Sequence, residues 1–199
     1  MGRIIAIANQ KGGVGKTTTS VNLSACLAYL GKKVLLVDID PQGNASSGVG
    51  VNKGEVQQCI YDVLIDDVSV QDPFLDTKVE NLHIVPATIS LAGAEIELVS
   101  TISREVRLKR ALQEVQSLYD YIVIDCPPSL GLLTINSLTA ADAIIIPVQC
   151  EFYALEGLSQ LLSTIRLVQK HLNKNLAIDG VLLTMFDART NLGIQVIEE

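Results

Sequence analysis

The 199-residue chain has no tryptophan, and aromatic residues make up only 4% of it. A core without large rings must be filled with Val, Ile, Leu and Ala, within an apolar content of 48%. Aliphatic runs of that kind suit parallel strands covered on both faces by helices. Cysteine is sparse: Cys26, Cys59, Cys126 and Cys150 stand alone, with no C-x-x-C pair. They read as buried free thiols in a reducing cytosol rather than metal ligands or disulfides. No apolar run is long enough to span a bilayer. The N-terminus enters a strand pattern at once, leaving no room for a signal peptide. Basic residues are the minority, 15 against 22 acidic, for a net charge of −7. That balance argues against a dedicated nucleic-acid module, which is basic, but leaves room for a local basic patch. No internal repeat, low-complexity tract or interdomain linker is present, and the length suits one domain.

What is there begins at Ile4. The run Ile4-Ile5-Ala6-Ile7 is a buried-strand pattern, and Asn9-Gln10-Lys11-Gly12-Gly13-Val14-Gly15-Lys16-Thr17-Thr18 follows. Val21, Leu23, Leu27 and Leu30 then recur at helical spacing. Strand, glycine turn, Lys-Thr and helix is the layout of a phosphate-binding P-loop. Glycines let successive backbone N–H groups approach phosphate oxygens, and the helix start adds partial positive charge. Lys16 is placed to reach the β- and γ-phosphates and Thr17 to ligate Mg²⁺, so ATP and Mg²⁺ are the expected ligands. The match to G-x-x-x-x-G-K-[ST] is incomplete: Gln10 stands where its first glycine would fall, and a second lysine stands at Lys11.

Gly31 is placed to cap that first helix, with Lys32 and Lys33 beside it. Val34–Asp38 reads as the next buried strand and runs into Asp38-Ile39-Asp40-Pro41-Gln42-Gly43-Asn44. Carboxylates at the C-terminal end of a parallel strand sit where open α/β sheets bind ligands. Turn bonds ahead of Pro41 and Gly43 are the structural alternative for both aspartates. A helix is expected near Val56–Ile65, a third strand at Leu82–Pro86, and helices at Leu91–Val99 and Arg104–Tyr119 with Ser103 as N-cap. Asp62, Asp66, Asp67 and Asp72 lack the EF-hand glycine and glutamate and read as a solvated acidic face. His83 has no His or Cys partner nearby and reads as a strand residue facing a polar layer. Arg104, Arg107, Lys109 and Arg110 form the most basic segment; pairs Glu105–Lys109 and Arg110–Glu114 favour an exposed, charge-balanced helix over a DNA patch. Tyr121–Asp125 is a fourth strand ending in an acid, before Cys126-Pro127-Pro128-Ser129; Asp125 fits a Walker B role, holding Mg²⁺ through water or bonding the Thr17 hydroxyl. Ala143–Val148 is a fifth strand, and a long helix follows with Leu155, Leu158, Leu162, Ile165, Val168 and Leu172 on one face and Arg166, Lys170 and Lys174 on another. Ile178–Thr184 is a sixth. Six strand patterns alternating with helices predict a three-layer α/β domain with a mainly parallel sheet.

Lys-Gly-Gly-Val-Gly-Lys-Thr-Thr, Asp-Ile-Asp-Pro-Gln-Gly-Asn, the strand–Asp125–Cys–Pro–Pro–Ser segment and Thr184-Met-Phe-Asp-Ala-Arg-Thr190 together resemble the deviant P-loop ATPases of the ParA/MinD group, on the ParA side. The resemblance runs from Arg3 to the last residue. It implies a P-loop NTPase fold and Mg²⁺-dependent ATP hydrolysis, with the nucleotide on Lys11, Gly12, Gly13, Val14, Gly15, Lys16, Thr17 and Thr18. Lys11 would act in trans on the partner's phosphates in an ATP-dependent homodimer, Asp40 would orient water, and Thr17 and Asp125 would hold the metal. Pro127–Leu133 would be the switch loop sensing the γ-phosphate. Arg189 inherits a role in nonspecific double-stranded DNA binding; a surface arginine without that role is the alternative. A ParB-type partner would stimulate hydrolysis, and the product would be a cytoplasmic, nucleoid-associated protein that segregates a chromosome or plasmid, with no membrane partner.

Three other classes compete. A MinD-like membrane-positioning ATPase would use a C-terminal amphipathic helix, and residues 1–199 are expected to stop before such a helix could appear. An iron–sulfur-linked ATPase fits poorly with scattered cysteines, and a nucleotide-dependent scaffold fits poorly with Asp40. A last helix is expected through Leu192, Val196 and Ile197, and Glu198-Glu199 oppose its dipole. The family continues with a further strand, loop and helix, so residues 1–199 are expected to be one ATPase domain truncated at its C-terminal end.

Overall fold

A computed structural model describes residues 1–150, 154–186 and 189. In chain order the elements are β1 (Arg3–Ile7), α1 (Lys16–Tyr29), β2 (Val34–Asp38), α2 (Asn44–Gly48), α3 (Ile60–Ile65), β3 (Leu75–Asp76), β4 (Leu82–Val85), α4 (Leu91–Glu97), α5 (Arg107–Gln113), β5 (Tyr121–Asp125), α6 (Leu132–Ala140), β6 (Ala143–Gln149), α7 (Ala154–His171) and β7 (Ala177–Thr184). Single 3₁₀ turns occupy Leu98–Ser100 and Arg104–Val106.

The strands form one sheet in the order β3-β4-β2-β5-β1-β6-β7. Every pairing is parallel except β3 with β4. Alternation with period two divides the core between the two faces of the sheet. Ile4, Ala6, Leu35, Val37, Ile122 and Ile124 join one cluster, together with Leu91, Leu108, Leu112, Leu138 and Leu161 from the helices. Ile5, Ile7, Val34, Leu36 and Val123 face the other way, against Ala28 and the partly buried Val21 and Leu27 of α1. Each fully buried aliphatic side chain contributes about 1.5–3 kcal/mol. The register sets Asp125 beside Ile7 on one side and Asp38 on the other. The ends of β1, β5 and β2 therefore converge at one edge, and this is where the crevice of an open parallel sheet lies.

The first helix ends as expected: Gly31 takes φ 78°, and Lys32 N–H donates to the Leu27 carbonyl at 3.1 Å in a Schellman closure. Elsewhere the structure corrects the sequence reading. Among the described residues there are seven strands and not six, since β3 has two residues, too few to show a period in the sequence. The helix expected from Val56 starts at Ile60, where Asp62 turns back to accept the Cys59 N–H at 2.7 Å. The helix expected over 104–119 is a 3₁₀ turn followed by α5, which ends at Gln113. Ser103 sits at φ 57° before it and makes no side-chain cap bond. Neither expected i,i+4 pair forms: Glu105 takes Arg104 at 3.0 Å, and Glu114 accepts the Ser69 hydroxyl. Arg107 reaches Asp67 and the Leu64 carbonyl, both at 2.8 Å, and so ties two elements together. His83 accepts or donates at Tyr119 Oη, 2.7 Å from Nδ1. Of the four free cysteines only Cys59 and Cys126 are buried; Cys26 is exposed and Cys150 half-buried. The expected last helix and most of the segment after Met185 lie outside the described residues.

Candidate functional site

Residues 8–15 leave the end of β1 and turn into α1. The Asn9 side chain anchors the turn, donating to the Pro147 carbonyl at 2.7 Å and accepting the Lys11 N–H at 3.0 Å. On the far side the Thr184 hydroxyl, at the end of β7, donates to the Val14 carbonyl at 2.9 Å. Gly13 and Gly15 hold φ of 75° and 88°, a region costly for other residues. A Cβ at Gly12 or Gly13 would meet nothing within 4 Å, and both residues are exposed, so no other element packs against this part of the turn. The loop is thus a glycine turn anchored on both sides, the kind of turn whose N–H groups suit phosphate oxygens.

Lys16 opens α1 and is only 7% exposed. Its ammonium donates to the Lys11 carbonyl at 2.8 Å, across the cradle. Burial lowers its pKa, while Asp125 and, less strongly, Asp40 oppose that shift. The two carboxylates thus lie within electrostatic reach of the lysine. Thr17 is half-buried and Thr18 exposed.

Asp125 is fully buried. Desolvation, then the nearby Asp38, pushes its pKa up to about 7; the Ser20 and Thr17 side chains pull the other way. Ser20 donates to Oδ1 at 2.8 Å. Thr17 stands close but closes no hydrogen bond of good geometry, and Oδ2 has no partner. A buried carboxylate oxygen without a donor, next to a threonine hydroxyl and the glycine turn, is a fitting donor set for Mg²⁺. This ion keeps several waters and takes one or two protein oxygens beside the phosphates. Among the described residues no group of three His, Cys, Asp or Glu side chains could hold a metal alone.

Asp38 and Asp40 divide the two roles the sequence left open. Asp38 is fully buried and saturated: it accepts Ser46 N–H at 2.8 Å, Ser46 Oγ at 2.7 Å and Asp40 N–H at 3.2 Å. It holds the start of α2, and burial raises its pKa. Asp40 makes one turn bond, accepting Gln42 N–H at Oδ1, 2.9 Å. Its charge acts weakly on both Lys16 and Asp125, so it lies within electrostatic reach of them. Lys53 crosses this loop and donates to the Gln42 carbonyl at 2.7 Å.

The structure therefore brings Lys11, Gly12, Gly13, Val14, Gly15, Lys16, Thr17, Asp40 and Asp125 to one edge of the sheet. Arg189 is an exposed turn residue beyond β7, and its neighbours 187, 188 and 190 lie outside the described residues. Sequence reading missed Asn9, Ser20, Ser46 and Thr184. Only Ser20 carried a usable signal, one helical turn after Thr17 on the same face.

The AAA domain family matches residues 2–178. "Sporulation initiation inhibitor protein Soj" of Bacillus subtilis is 76% identical over 199 residues, covering 100% of this chain and 79% of that protein. "Chromosome partitioning protein ParA" of Myxococcus xanthus is 56% identical, with 100% and 70% covered. A crystal structure described as cobyrinic acid a,c-diamide synthase from Mycobacterium smegmatis, with bound ADP and magnesium, superposes with a TM-score of 0.95. It is 43% identical, with 100% and 80% covered, well below the identity to the two partitioning relatives. By these matches along nearly its whole length, the chain belongs to the ParA/Soj family of partition ATPases, within the AAA-domain proteins.

Proposed function

We propose that this chain hydrolyses ATP with Mg²⁺ and uses the cycle to segregate a chromosome or plasmid. One observation carries the reading: at the start of the helix that follows the glycine turn, Lys16 lies within electrostatic reach of Asp40 and of Asp125, whose buried Oδ2 has no partner. Lys16 binds β/γ-phosphate oxygens once it exchanges the Lys11 carbonyl for them. The loop N–H groups orient the phosphates, and Thr17 and Asp125 are the residues that hold Mg²⁺, which supplies charge neutralisation at the phosphates. Asp40, the carboxylate with spare acceptor capacity, orients the attacking water. Transfer to water needs positioning and charge neutralisation more than covalent chemistry. Lys11 completes the site of a second copy, so that nucleotide occupancy licenses a homodimer. Residues 1–199 act as one ATPase domain.

The dimer binds double-stranded DNA without sequence preference, with Arg189 on the contact surface, and a ParB-type partner triggers release. Joining two modest basic patches lets a chain of net charge −7 bind a polyanion. The protein works in the cytoplasm, on the nucleoid. Support for this reading comes from the partition relatives and the site chemistry together. Co-sedimentation with DNA and with anionic liposomes, each with and without ATP, tests it. ATP-dependent DNA pelleting is expected; ATP-dependent liposome pelleting instead would replace it with a membrane-positioning role.

A further inference from the structure

The segment Cys126–Gly131 joins β5, which ends at Asp125, to α6, and contains Pro127 and Pro128 in succession. Gly131 is the N-cap of α6 and offers no side chain to its first-turn N–H groups. The place a capping side chain would fill is taken by Glu95, from α4. A Cβ added at Gly131 would collide with Glu95 Oε1 and stand 3.0 Å from its Cδ. Residue 131 thus lies directly against one carboxylate from a different element, and a larger residue there would have to push that side chain aside. That carboxylate is itself unsatisfied: Oε1 is sealed from solvent and has no hydrogen-bond partner. An unpaired buried acceptor is costly, and it favours any rearrangement that supplies a donor. A helix start always leaves N–H groups without intrahelical partners.

We propose that Glu95 is a positioning residue for the nucleotide reaction: its carboxylate sets the Cys126–Gly131 loop against α4 and caps α6 when the loop shifts with nucleotide. It touches no reacting atom. It acts through the loop, whose first residue follows Asp125 directly, so the inference rests on the hydrolysis reading above. Gly131 is the matching surface, and the two residues work as one contact.

The test compares the full chain with Glu95→Ala, Glu95→Gln, Gly131→Ala and the Glu95→Ala/Gly131→Ala double variant. The measurements are kcat and KM for ATP, binding of a fluorescent ATP analogue, and amide hydrogen exchange at 132–135 with and without a non-hydrolysable analogue. Glu95→Ala and Gly131→Ala each lower kcat roughly tenfold, with analogue affinity unchanged within about twofold. The double variant is no slower than the slower single, because both changes remove one contact. Glu95→Gln keeps the shape and retains more activity than Glu95→Ala. Nucleotide slows exchange at 132–135 in wild type and fails to do so in Glu95→Ala. Multiplying losses in the double variant, or wild-type kcat and exchange in Glu95→Ala, would overturn the proposal. If Gly131→Ala does not fold, the two Glu95 variants still decide it. A wild-type chain that binds but does not hydrolyse ATP would sink the parent reading, while the exchange comparison would still judge Glu95.

Discussion

Asp125 is the residue in which burial and function oppose each other most directly. Its carboxyl is pushed from 3.8 to about 7 because ionisation takes place away from water and beside Asp38. A raised carboxylate pKa means the folded state binds the proton more tightly than the unfolded chain does. Stability is then greatest below the unfolded value and falls as pH rises from about 4 to about 7. At about 1.4 kcal/mol per unit, the ionised group costs on the order of 4 kcal/mol above that window. In chelator, Asp125→Asn is expected to melt higher than wild type at pH 8, with the gap closing by pH 5. Equal melting differences at both values would remove this account. Mg²⁺ with nucleotide should stabilise wild type at pH 8 and leave Asp125→Asn nearly unmoved. Lys16→Ala, lacking the buried cation of the cradle, should lose ATP binding by equilibrium titration; retained tight binding would defeat the P-loop assignment. These residues were legible in sequence because their motifs are local: a glycine turn before Lys-Thr, an acid at a strand end. Asn9 and Thr184 were not, because each acts by closing a bond to a carbonyl far away in the chain.

Among the elements, α6 shows why a helix can go unread. Its sequence, LLTINSLTA, carries no apolar stripe, and Thr134, Asn136, Ser137 and Thr139 are all buried. Their polar atoms are satisfied inside: Asn136 donates to the Arg104 carbonyl at 2.8 Å and accepts the Leu108 N–H at 3.2 Å. Asn136 is the reason α5 can begin where it does, directly after the broken 3₁₀ turn. Asn136→Ala leaves both backbone groups unpaired in the core and should cost about 2–4 kcal/mol. Thermal or urea unfolding would show it; a loss below about 0.5 kcal/mol would mean water replaces the amide. The parallel strands were legible by contrast, since β2 and β5 are continuous aliphatic runs with each end marked by an aspartate. The two-residue β3 and the early end of α5 follow from tertiary pairing with Ile84 and His83 and from side-chain bonds across elements, and local propensity carries neither.

At the scale of the whole molecule, charge decides how a partner is held. With 22 acidic and 15 basic residues, the proposed attraction to DNA would have to come from local clusters and would be strongly screened. ATP-dependent DNA retention is expected to fall by on the order of a thousandfold between about 50 and 200 mM salt. Arg189→Glu should weaken retention at every salt concentration without changing ATP affinity; equal retention at low salt would take Arg189 off the DNA surface. The architecture also ties the sheet's margin to its ligand. Thr184 ends β7, one of the two edge strands of the sheet among the described residues, and its hydroxyl grips the floor of the glycine turn at Val14. Ile178, Val181 and Leu182 stand exposed along that same strand. The rim of the sheet is therefore a tether one hydrogen bond long. Whatever lies along β7 and displaces it tugs directly on the floor of the phosphate cradle.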